Sequence, residues 1–104
     1  MLYLVRAELR IPDHLEAGQM AELRERELMR AHELQRAGHL RGIWRLAGRR
    51  VNVAIFDATD HDELNVLLSS LPMFNWLEIV VEPLAMHPAQ LAEFMPWPGL
   101  VQER

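Results

Sequence analysis

Residues 13–38, DHLEAGQMAELRERELMRAHELQRAG, decide how the chain is read. At about 100° per residue, Met20, Leu23, Ala31 and Leu34 fall in one narrow stripe, which predicts an amphipathic helix. Glu27 occupies the middle of that stripe, where an apolar side chain is expected. The acids Glu22, Glu25 and Glu33 point elsewhere. An ionised carboxylate on a core-facing stripe is costly unless it is paired, hydrogen-bonded or set against a cavity. Two readings of Glu27 follow. Arg24 and Arg30 lie one helical step away, so it can be an ordinary helix-surface ion-pair partner. It can equally be a half-buried acid whose environment raises its pKa for proton transfer. Asp13 with Glu16 has capping-box spacing, and Gly18 suggests that the regular helix starts late. Gly38 is the natural stop.

On the N-terminal side, residues 2–11 alternate strictly. Tyr3, Val5, Ala7, Leu9 and Ile11 form one face, and Leu4, Arg6, Glu8 and Arg10 the other, which is a half-buried strand ended by Pro12. On the C-terminal side, residues 40–47 and 51–58 read as a hairpin turning at Gly48-Arg49-Arg50. Asn52 breaks its otherwise apolar second strand, as a solvent-facing residue or as a polar group at a site. Thr59 or Asp60 can cap a second helix with Leu64, Leu67, Leu68 and Leu71 as its stripe, closed by Pro72. The loop LPMFNW then leads into a last strand, Leu77 to Leu84, with Leu77, Ile79 and Val81 on one face and Pro83, then Pro88, limiting its extent.

Strand, helix, strand, strand, helix, strand is the ferredoxin-like βαββαβ plan. It is an α+β fold in which a four-stranded antiparallel sheet carries two helices on one face. Leu4, Trp44, Phe56 and Val80 are assigned to the open face, and a face so apolar predicts a homo-oligomer. The expected domain spans residues 1–88, with 89–104 as a tail that packs on a neighbouring subunit or is disordered.

Composition narrows the function. With 104 residues, 50% of them hydrophobic, the chain is one ordinary globular domain. A net charge of −4 gives no reason to expect nucleic acid as a partner. No apolar run reaches membrane-span length, and charge comes too early for a signal peptide, so a cytoplasmic protein is expected. Cysteine is absent, which excludes thiolate chemistry, and all 11 basic residues are arginine. Arginine suits bidentate binding of carboxylates. The five histidines at 14, 32, 39, 61 and 87 have no metal-ligand spacing, so no metal site is expected. There is no phosphate-binding glycine loop and no nucleophile elbow.

Several stretches together resemble the muconolactone Δ-isomerase family: MLYLVRAELRIP, RERELMRAHELQRAG, GIWRLAG, NVAIFD, DELNVLLSSLPMF and EIVVEPLAMHP. The most specific pieces are ELQRAG, Trp44-Arg45, the strand from Asn52 to Phe56-Asp57, LPMF and His87-Pro88. The resemblance implies an enzyme of aromatic (catechol/β-ketoadipate) degradation that shifts the double bond of muconolactone to give 3-oxoadipate enol-lactone. It implies no cofactor and a ring-shaped assembly, typically a decamer. It also implies that Glu27 is the acid/base residue and that Asn52 lines the site. Arg45, Trp44, Phe56 and Phe74 are the candidate substrate-binding residues, with Arg45 apt for the free carboxylate of the lactone. The chain departs from the family pattern at Leu4, where a histidine is frequent, and at Arg50 and Val53, where an aromatic is. Those departures leave two alternatives. One is a related enzyme for substituted or chlorinated lactones, including a dehalogenase. The other is a non-catalytic oligomeric binding protein.

Overall fold

A computed structural model describes residues 1–94. Its strands are β1 (Leu2–Leu9), β2 (Leu40–Arg45), β3 (Val51–Asp57) and β4 (Leu77–Leu84). Its helices are α1 (Ala17–Arg36) and α2 (His61–Ser69), with short 3-10 turns at Phe74–Trp76 and Ala92–Phe94. The sheet is antiparallel in the order β2-β3-β1-β4. This is the expected ferredoxin-like plan.

Register explains the layering. Tyr3 pairs with Phe56, Val5 with Ala54 and Ala7 with Asn52, so these six side chains share one face. Tyr3, Val5, Ala54 and Phe56 form one core cluster with Leu34 of α1 and Leu64, Leu67 and Leu68 of α2. Both helices therefore cover the same sheet face. A second cluster joins Met20, Leu23 and Met73, with Leu9, Ile11, Leu15, Trp76 and Leu77 against it. Burying one leucine such as Leu34, 1% exposed, contributes about 1.5–3 kcal/mol, so the α1 stripe is a principal anchor of the fold.

Both ends of α1 have sequence-encoded caps. Its N-cap is Glu16, not Asp13: Glu16 and Gln19 form the capping box, and the backbone N–H of Glu16 donates to the Gln19 side chain at 3.0 Å. The helix thus starts immediately, and Gly18 lies inside its first turn. At the other end Gly38 has φ +83°. Gly38 N–H donates to Gln35 O at 3.0 Å and His39 N–H to Leu34 O at 2.9 Å. That is a Schellman motif, which requires a left-handed residue. Asp60 caps α2, its carboxylate accepting Glu63 N–H at 2.8 Å.

One expectation about the sheet changes. Phe56 belongs to the core face and is 4% exposed, because it stands opposite Tyr3 in the register and not beside Trp44. It is not part of the open face. The last strand has its expected bounds, Leu77–Leu84, with Pro83 as its penultimate residue. β4 is an edge strand, where a residue lacking N–H is tolerated. The expected tail, 89–104, lies from residue 95 onward outside the described residues.

Candidate active site between the two core clusters

Glu27 lies at the seam of the two clusters. One step towards the N-terminus, Leu23 packs in the Met20–Met73 cluster; one step towards the C-terminus, Ala31 packs on the Tyr3–Phe56 cluster. The sheet has a matching seam. Between Val5–Ala54 of one cluster and Leu9 of the other comes the Ala7–Asn52 pair, which Arg45 extends across β2. Ala7 is small and Asn52 is half-buried although it faces the helices. The helix and the sheet thus each place a polar side chain where apolar packing is interrupted.

The surroundings of Glu27 fit a proton-transfer carboxyl. The side chain is half-buried, and its Oε1 accepts the backbone N–H of Met73 at 3.0 Å. Burial pushes its pKa above the ordinary carboxylate range, and the Met73 N–H partly opposes that shift. Among the described residues no ion pair reaches Glu27. Arg30 instead donates from Nε to Ser70 Oγ at 3.0 Å, and its Nη1 lies 3.9 Å from Glu33. Carboxylate basicity here is set by burial and one neutral donor, not by a salt bridge.

Asn52 and Arg45 come together as well. Arg45 Nε donates to Asn52 Oδ1 at 3.4 Å. With Oδ1 turned to the guanidinium, the Asn52 NH2 group is the end left to meet a ligand oxygen. Phe74 follows Met73 directly and packs, half-buried, on the larger core cluster.

Trp44 is not brought to this place. Adjacent strand residues alternate faces, so Trp44, opposite Val53, stands on the open side, 55% exposed. Its indole lies over Gly42, where an added Cβ would come within 2.5 Å of the ring. Phe56 is enclosed in the core with little surface to offer a ligand. A shallow cavity of about 340 Å³ lies elsewhere, between α2, β1 and β4. It is lined by Tyr3, His61, Leu64, Asn65, Leu68, Val81 and Pro83. Sequence reasoning missed the Met73 N–H and the Arg30–Ser70 bond. Backbone donors leave no residue-type signature, and a serine at the end of a helix is unremarkable.

A family model described as muconolactone delta-isomerase matches residues 1–90. The chain belongs to the muconolactone delta-isomerase family. It is 42% identical over 91 residues to the muconolactone Delta-isomerase of Cupriavidus pinatubonensis, covering 88% of this chain and 99% of that one. Muconolactone Delta-isomerase 1 of Acinetobacter lwoffii is 37% identical over 93 residues, covering 89% and 97%. The crystal structure of a muconolactone isomerase superposes with a TM-score of 0.83 at 32% identity, covering 88% of this chain and 95% of the other. The isomerase family expected from the sequence is therefore confirmed. So is its fold, over nearly the full length of these relatives.

Proposed function

We propose that the protein is a muconolactone delta-isomerase in which Glu27 carries the proton. The observation that carries this reading is the Glu27 carboxyl itself, half-buried, free of an ion pair among the described residues and held by one backbone N–H. Moving the double bond requires a base to take a carbon-bound proton, a dienolate intermediate, and return of a proton to another carbon. One carboxyl of raised pKa serves both transfers. The Asn52 NH2 group is suited to the developing oxyanion. The Arg45 guanidinium can spare its remaining N–H groups for the substrate carboxylate, with Phe74 against the ring.

The departures at Leu4 and Val53 leave the helix-covered face that carries Asn52 unchanged. Both lie on the open sheet face, since Leu4 pairs with Ile55 and neighbours the core-facing Tyr3 and Val5. An aromatic at Val53 would point away from Asn52 within a protomer.

The same open face supports a homo-oligomer, for which the family resemblance implies a decameric ring; a cytoplasmic location is part of the same reading. It exposes Trp44 and Val80 beside Leu4, and Trp44 would contact a neighbouring subunit. The folding unit would be residues 1–88, with 89–104 as its tail.

Purified protein without added metal should consume muconolactone and form the enol-lactone in a UV assay. Absence of turnover at any pH from 5 to 9, roughly the range over which a tuned carboxyl works, would overturn the assignment.

A further inference from the structure

We propose that Arg30 and Ser70 are positioning residues for Glu27: their hydrogen bond clamps the end of α2 onto α1 and so holds the Met73 N–H on the Glu27 carboxylate. The consequence for catalysis rests on the isomerase reading above; the clamp itself does not.

Glu27 and Arg30 are one helical turn apart on α1, and they contact the chain after α2 in antiparallel order. Arg30 Nε reaches Ser70 Oγ at 3.0 Å, and Glu27 Oε1 receives Met73 N–H at 3.0 Å. The segment between the two contacts is stiff. Ser70 Oγ donates in turn to Leu67 O at 2.6 Å. Leu71 N–H donates to Leu68 O at 3.1 Å and Phe74 N–H to Leu71 O at 2.9 Å. Pro72 fixes one more backbone angle. Displacing Ser70 therefore displaces the Met73 N–H with it.

The clamp also fixes what Arg30 does not do. A guanidinium three residues from Glu27 could pair with it and lower its pKa, which would weaken the base. Held by Ser70, the guanidinium points to the α2 end, and Glu33 is the carboxylate already within its reach. Of the other charged residues, Arg24 is one helical step from Glu27 on α1 and Arg45 stands on the sheet seam opposite Asn52. Residues 64–77 carry no titratable side chain. The balance between burial and the Met73 donor is thus left to this clamp.

The test is NMR on the full chain, following Met73 amide exchange and the Glu27 carboxyl titration, with Glu27→Gln assigning the latter. In Ser70→Ala, Met73 exchange should accelerate roughly tenfold or more. The Glu27 titration should move upward by on the order of half a pH unit, and the acid limb of kcat/KM should follow it. Ser70→Thr, which keeps the hydroxyl, should restore all three. Arg30→Gln should reproduce the faster exchange if Ser70→Ala folds poorly. Unchanged exchange and titration with only a lower Tm would overturn the clamp, as would a downward shift that persists in Arg30→Gln, where no guanidinium remains to pair with Glu27. If the wild type fails to isomerise muconolactone, the functional reading falls, and the two NMR readouts still decide the clamp.

Discussion

Met73 N–H donates to the carboxylate of Glu27 at 3.0 Å, a contact across 46 residues that ties the middle of α1 to the loop before β4. The bond lies where the two apolar clusters meet, and it explains how a carboxylate survives on a core-facing stripe. One oxygen receives a hydrogen bond, and among the described residues the other has no hydrogen-bond partner.

Glu27→Gln keeps the shape and can still accept the Met73 N–H. Assembly and circular dichroism should be unchanged, while kcat should fall by at least about 100-fold, the usual worth of a general acid/base. Near wild-type turnover in the UV assay would end the proposed mechanism.

The raised Glu27 pKa has a stability consequence with a definite sign. A folded-state pKa above the unfolded one means that the native state holds the proton more tightly. The contribution is fully present below the unfolded value, about 4.3, and is lost as pH rises through the folded pKa. Glu27→Gln should therefore gain stability relative to wild type above that range, and the difference should vanish near pH 4, as read by urea melts at each pH. A gain confined to acid pH would contradict it.

Activity should follow the same group. The base form of Glu27 is needed to start the reaction, so kcat/KM should rise with pH through a midpoint above the ordinary glutamate range. A midpoint at or below about 4.3 would argue for a solvated carboxylate.

Asn52→Ala should lower kcat by roughly 10- to 1000-fold, in keeping with loss of an oxyanion donor. Arg45→Met should act mainly on KM, by about 10-fold or more, through the lost charge-assisted bond to the substrate carboxylate. Equal effects of both variants on KM alone would assign Asn52 to binding rather than to the developing charge.

Gly38→Ala places a Cβ in left-handed backbone and should cost about 1 kcal/mol of stability, with activity retained at low temperature. Thermal melts of the two proteins measure it.

Local patterns were readable without the fold. Period-two alternation in residues 2–11, the α1 stripe, Gly38 and the Asp60 cap depend on neighbours within a few positions, and the element order then leaves one simple sheet. Glu27 stood out because it breaks a local period. Asn52 did too, though its choice between solvent and site required knowing which face the helices cover. The same alternation placed Trp44 and Arg45 on opposite faces, but only the register with β3 shows which of them lies on the Glu27 side. Phe56 went to the core for that reason, opposite Tyr3. The helix start at Glu16 rather than Asp13 was a close local competition, decided in favour of the Glu16–Gln19 pair. The Met73 donor, the Arg30–Ser70 bond and the seam between clusters belong wholly to tertiary structure. They join segments about 40 residues apart through backbone groups and common side chains. No local preference encodes such pairs, because only packing of the two helices on one sheet face brings them within reach.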